Sequence, residues 1–288
     1  MRVHDTPTRR TVTFTGLAEF TRAAIAGSEP HGSSRQTLGS NWCDDDWDTT
    51  IKKFATGWRE GHEAVGKLAR VLFTRVTSRT PVEEMRRELL PRENFSVSPE
   101  AYITGDPECW LEWHDTDETQ EQAGRKLVRV AVDLTASAAV PAATLFARGA
   151  ATLALVEALE HVGRSVELTA FFAVSDSFRG ASKTAKVLVH VVPLKAFGDR
   201  PNPDVLACAV AHPGNLRRLH FGVVEGYDAV AKAKWGRNNS YGFPIDKPVV
   251  EADIHIPSAG LARHWQSPET AEAWVLDTLR AQGVTITD

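Results

Sequence analysis

Asp133, Thr135 and Ser137 occupy alternate positions of Asp133-Leu134-Thr135-Ala136-Ser137, directly after the apolar run that ends at Val132. One carboxylate and two hydroxyls at that spacing on a tight turn can point at a common spot. They are hard oxygen ligands which, completed by water, suit Mg²⁺ or Mn²⁺ rather than zinc or copper. Asp176, beyond the next apolar run, is a further carboxylate for such an ion. A plainer reading of the same residues is that Asp133 and Ser137 cap the helix that Pro141 opens. Both readings stand at this point.

Other reactive side chains fall into weaker patterns. His62-Glu63 begins like a zinc-protease helix, but Gly66 stands where the second histidine belongs. No G-x-S-x-G, Walker A or G-x-G-x-x-G string occurs, which removes the main support for hydrolase-elbow, P-loop and dinucleotide chemistry. Cys208 and His212 lie four residues apart on one helix. Alanines on both sides of the cysteine make it a buried thiol and His212 a helix-terminal residue. In Trp42-Cys43-Asp44-Asp45-Asp46-Trp47-Asp48 the tryptophans pin a loop, because consecutive carboxylates converge poorly on one ion. Arg217, Arg218, Lys232, Lys234 and Arg237 interleave with Trp235 and Tyr241, a pattern that can bind single strands, although Glu225 and Asp228 dilute it.

Hydrophobic periodicity supplies the elements that position these groups. Residues 1–92 read as a helical N-terminal region: a short helix in Thr11 to Ile25, one capped around Asp48, one from Glu60 to Arg75 and one from Pro81 to Leu90. Residues 93–125 form an acidic connector that holds no Lys or Arg before Arg125. Residues 126–288 read as an α/β domain. Lys126 to Val132 is a strand, Pro141 to Gly163 a helix, and Val166 to Val174 and Ala185 to Val192 a strand pair joined as a hairpin. Helices at Asp204 to Ala211, Asn215 to Phe221 and Pro268 to Gln282 (capped by Ser267) alternate with strands at Val249 to Ile256 and Val284 to Thr287.

Composition bounds the function class. The chain has 288 residues, 42% hydrophobic and 24% charged, with 37 acidic side chains against 33 basic and a formal charge of −4. Such a chain builds a large core and is neither disordered nor grossly basic. Cys43, Cys109 and Cys208 are scattered and odd in number, so no disulfide framework or structural zinc is expected. The polar N-terminus is no secretory signal, and Arg148, Glu157 and Glu160 interrupt the one long apolar stretch. A cytoplasmic protein with no membrane span is expected.

From Leu127 to the C-terminus the chain resembles a von Willebrand factor A-type domain. The resemblance rests on Asp133, Thr135 and Ser137, which match Asp-x-Ser-x-Ser with one Thr-for-Ser exchange, and on the hairpin from Val166 to Val192. It implies a Rossmann-like, mostly parallel sheet with one antiparallel hairpin strand, and protein–protein adhesion through a divalent ion. The chain departs from the family where Gly198 to Pro203 offers no Thr and where Asp253 lies inside its strand. Over most of its length the chain also resembles an uncharacterised tailed-phage and mobile-element family. That likeness is carried by Gly57-Trp58-Arg59-Glu60-Gly61, Gly105 to Cys109, Arg148 to Ala151 with Leu159-Glu160, and Ala211-His212-Pro213 with Leu216-Arg217-Arg218.

Two functions follow as expectations. The first is a non-enzymatic, phage-encoded binding or assembly protein that contacts a protein partner or copies of itself. The second is a nucleic-acid accessory factor or divalent-metal-dependent enzyme of phage DNA or RNA metabolism. No second carboxylate or histidine stands at a fixed spacing from Asp133, whereas metal-assisted hydrolysis generally uses several acidic ligands, and this favours the first.

Overall fold

The computed structural model describes residues 1–36, 43, 45–77, 87–89, 96–97, 110–113, 127–137, 139–177, 184–232, 235, 241–245, 247–260, 263–284 and 286. The chain opens with strands β1 (Arg2–Asp5) and β2 (Arg9–Thr13), then helices α1 (Leu17–Gly27), α2 (Trp47–Thr56) and α3 (Arg59–Thr77). Short strands β3 (Arg87–Leu89), β4 (Ser96–Val97) and β5 (Trp110–Trp113) precede β6 (Leu127–Asp133), α4 (Ala142–His161), β7 (Ser165–Ser175) and β8 (Val187–Lys195). Next come α5 (Pro203–Ala211), a π-helical turn (Asn215–His220) running into α6 (Phe221–Glu225), and α7 (Ala229–Ala231). The series closes with β9 (Phe243–Pro244), β10 (Ile254–Ile256), a 3₁₀ turn (Arg263–Trp265) and α8 (Pro268–Ala281).

The chain divides into one unit made of residues 1–80 with 127–288 and a second made of residues 81–126. The second holds a three-stranded antiparallel sheet in the order β3-β5-β4. The first is α/β. Its sheet runs β1-β2-β8-β7-β6-β10, with β9 added to β7. β6 is parallel to both β7 and β10, β2 is parallel to β8, and β7 with β8 forms the expected antiparallel hairpin.

Several boundaries differ from the periodicity reading. The first residues are not a separate helical region, because β1 and β2 extend the sheet and Thr11 pairs with Val189. The β-branched Thr11, Val12 and Thr13 suit a strand, and the helix begins only at Leu17, after Gly16. Arg87–Leu89 is a strand paired to β5 rather than the end of a helix, while residues 81–86 lie outside the described residues. The strand read over Val249 to Ile256 shortens to Ile254–Ile256. The one read at Val284 to Thr287 falls partly outside the described residues.

Strand alternation separates two cores. Val128, Val130 and Val132 on β6 and Val166, Leu168, Ala170 and Phe172 on β7 face the helices. Ala131, Phe171, Ala173 and Val189 face the other way, where Ile245, Val249, Val250 and Ala252 cover them. The helical core residues of α1 to α6 and α8 belong to the first cluster. Each buried Val, Leu or Phe there stabilises the fold by about 1.5–3 kcal/mol. Helix α4 is long and apolar enough to cross a membrane, yet twelve of its residues are buried against the sheet and neighbouring helices. Ser267 caps α8 by accepting the Thr270 N–H, as its sequence implied.

Where α4 meets α5, a Cβ on Gly149 would lie 2.4 Å from Ala211 Cβ and 2.7 Å from its Cα. Ala in place of Gly within a helix ordinarily stabilises by about 1 kcal/mol. Here the collision reverses the sign. Gly149→Ala is expected to lower the urea-unfolding free energy by about 1–3 kcal/mol, the usual cost of overpacking, and a gain in stability would contradict this packing.

Candidate functional site

β6 reaches β7 through α4 on one side and lies beside β10 on the other. The strand order therefore reverses at β6. In open α/β sheets, ligands gather outside the carboxyl ends of the strands at such a point. The turn that follows Asp133, described at residues 133–137 and 139–141, lies at this strand end. The turn after β10 packs directly against it, where a Cβ on Gly260 would stand 3.0 Å from Val140 Cγ2 and 3.4 Å from Ser137 N.

Three side-chain oxygens of this turn accept main-chain N–H groups. Asp133 is buried, and its Oδ1 accepts the Thr135 N–H at 2.8 Å. Thr135 is buried as well, and its hydroxyl oxygen accepts the Ala173 N–H on β7 at 2.8 Å. Ser137 is exposed, and its Oγ takes the Ala139 N–H at 3.4 Å. Helix α4 begins at Pro141 without a side-chain cap, so Asp133 and Ser137 do not cap it. Asp133 instead closes its own two-residue turn.

Two buried arginines hold this turn from the helical layer. Arg148, on α4 and only 3% exposed, donates to the Asp133 carbonyl at 2.9 Å and the Val210 carbonyl at 3.4 Å. Arg217, on the π-helical turn and 1% exposed, donates to the carbonyls of Val140 and Ser137. Burial pulls the Arg148 guanidinium down to about 10, against the pull of the nearby Asp133 carboxylate and with a smaller push from Arg217. It therefore stays cationic at neutral pH. Periodicity did not identify this role, although a lone Arg inside an apolar helix was the available signal.

The Mg²⁺ or Mn²⁺ expectation is not supported by this donor set. Thr135 is buried and its hydroxyl both accepts the Ala173 N–H and donates to the Ala173 carbonyl on β7, and Asp133 already has a cation beside it in Arg148. Asp176 is remote. Asp133 lies opposite Phe171, and the five residues from 171 to 176 carry Asp176 about 16 Å further along β7 at the usual strand rise. There it closes the β7–β8 hairpin, its Oδ1 accepting the Lys186 N–H at 2.8 Å. Among the described residues, no group of three or more His, Cys, Asp or Glu side chains is set to hold a metal.

The remaining candidates are structural. His212 ends α5, with Nε2 2.8 Å from Asp45 Oδ2, while its Nδ1 accepts the Gly214 N–H at 3.0 Å. These contacts place the proton on Nε2. Burial alone would raise Asp45, but hydrogen bonds from His212 and Lys53 outweigh it and hold the carboxyl at about 2. Cys208 is fully buried, and burial drives its thiol well above the ordinary range. His62 Nδ1 meets Asp204 Oδ1 at 2.7 Å. Asp46, not Asp48, caps α2 by accepting the Thr49 N–H at 2.7 Å, and Trp42 and Asp44 lie outside the described residues.

The basic segment also turns inward. Arg218 is fully buried and donates to the carbonyls of Ser34 and Asp45 at 2.9 Å. Trp235 is buried, Lys232 pairs with Glu29, and the Tyr241 hydroxyl donates to Glu225. Lys234 and Arg237 lie outside the described residues.

Asp133→Asn keeps the acceptor but removes the charge that faces Arg148. It is expected to lower stability by about 2 kcal/mol in urea unfolding. Calorimetric titration with Mg²⁺ or Mn²⁺ should show only dilution heat for both proteins. A saturable heat in the wild type that vanishes in Asp133→Asn would reinstate the cation site.

A family model described as a domain of unknown function, DUF7192, matches residues 3–286. No curated protein and no solved structure matches the chain. Since the match extends over nearly the whole sequence, the chain belongs to the DUF7192 family.

Proposed function

We propose that this is a non-enzymatic binding protein that contacts a protein partner, or another copy of itself, at the surface where the turns after β6 and β10 meet. The observation that carries this reading is the β6–α4 turn. Two buried guanidinia fix its carbonyls from below, while Ser137 and Ala139 remain exposed at its rim. A surface ordered in advance loses little further entropy when a partner docks. The groups suited to catalysis serve the fold instead: Asp133 and Thr135 bind main chain, His212 is engaged at both ring nitrogens, and Cys208 is a buried neutral thiol. The nucleic-acid reading loses support because Arg217 and Arg218 point into the protein.

The succession β6–α4–β7–β8 supports the finer description as a von Willebrand factor A-like fold, in this reading one that works without the metal. The sequence resemblance to tailed-phage proteins supports an assembly role of phage origin.

The test is a photo-crosslinking amino acid placed at Ser137 or Ala139 and, as a control, at exposed Lys247 in the segment that covers the opposite face, in cells that naturally make the protein. A discrete adduct from 137 and 139 but not from 247 is expected, and an adduct of twice the chain mass would identify self-association. Absence of adducts, or equal adducts at all three positions, would refute a contact site at this surface.

A further inference from the structure

Two histidines take no part in the β6–α4 turn. His190 on β8 and His220, the last residue of the π-helical turn, are fully buried between sheet and helices, with ring centroids 4.9 Å apart. His220 stacks on Phe172 at 4.6 Å, and Phe172 stacks on Phe20 at 5.4 Å. Phe14 meets His190 edge-on at 5.9 Å. His190 Nε2 is hydrogen-bonded to the Tyr227 hydroxyl. His190 Nδ1 and both ring nitrogens of His220 have no hydrogen-bond partner among the described residues.

A neutral imidazole tolerates such a site at the cost of unmade bonds. An imidazolium has two N–H donors and a charge, and burial without a partner is far more costly for it. The neighbours do not compensate. From β2, Arg10 lies 5.6 Å over the Tyr227 ring and adds positive charge, which Asp5 of β1 answers at 2.8 Å and Asp228 from further off. From α1 come Phe20 and the unpartnered hydroxyl of Thr21, and from β7 comes Phe172. Burial alone holds His220 at about 3; burial, then His220 and Arg10, hold His190 well below its ordinary range.

The segment that carries His220 also fastens a loop. The Glu225 carboxylate accepts the N–H groups of Glu29 and Ser34 at 3.1 and 2.9 Å, together with the hydroxyls of Ser34 and Tyr241. Arg218 grips the carbonyls of Ser34 and Asp45. We propose that the His190–His220 pair is an acid-sensitive latch, whose protonation frees the Asn215–Glu225 segment and releases the residues it holds at 29–36 and 45.

The sign follows from linkage. Both imidazoles are harder to protonate in the closed state, so the open state takes up protons as pH falls below about 6.5. The closed state is fully favoured above pH 7. Below pH 6.5 it loses up to about tenfold per pH unit for each histidine. Amide hydrogen exchange on the full chain at pH 7.5 and 5.0, corrected for intrinsic rates, tests this. Protection of residues 215–225 and 29–35 should fall by about ten- to a hundredfold while β6 and β7 keep theirs. In His220→Phe, which preserves the stack on Phe172, the fall should shrink by about tenfold. Unchanged protection at pH 5.0, an equal loss in β6 and β7, or the same fall in His220→Phe would overturn the latch. The wild-type pattern decides the matter even if the variant does not fold.

Discussion

The fully buried guanidinium of Arg148 is the contact on which the β6–α4 turn depends. It ties three elements together: α4, from which it projects, the end of β6 through the Asp133 carbonyl, and α5 through the Val210 carbonyl. A buried cation is tolerable only with partners, since its desolvation costs several kcal/mol. The nearby Asp133 carboxylate and two carbonyls are those partners. The same carboxylate turns back on the Thr135 N–H, and Thr135 fastens the turn to β7. One buried charge thus fixes the geometry of this turn.

The π-helical turn repeats this device. Its consecutive residues Arg217 and Arg218 are both buried, one serving the β6–α4 turn and the other the loop before α2. A π-turn adds a residue per turn, and such turns recur at functional positions. Here it also places His220 against Phe172. Glu225, at the end of α6, holds the other side of the same loop. Three charged side chains on one short segment thus order parts of the structure that are distant in sequence.

Strong local patterns made much of the architecture legible. β6, α4, β7, β8, α5 and α8 are each marked by an apolar run or a helical stripe, and α8 adds its Ser267 cap. β1 and β2 were not legible, because Arg2, Asp5, Arg9 and Arg10 dilute the alternation and β1 is wholly exposed. That Asp133 to Ser137 form a turn after a strand was legible, but the partners of their side chains were not. Spacing shows that three oxygens can converge; it does not show that Thr135 is taken by Ala173 or that Arg148 arrives from fifteen residues away. The interleaved basic and aromatic residues misled in a similar way. Arg217 and Arg218 count toward a basic surface in the sequence, yet they lie inside the fold.

The order of the β6–α4 turn rests on the buried cation of Arg148. Arg148→Met, which keeps the apolar stem and removes the charge, tests it most directly by hydrogen exchange and urea unfolding in the presence and absence of Mg²⁺. A loss of about 3 kcal/mol or more, reduced protection across residues 133–137 and 139–140, and no recovery with Mg²⁺ are expected. Unchanged stability with an equally protected turn, or recovery with Mg²⁺, would contradict it.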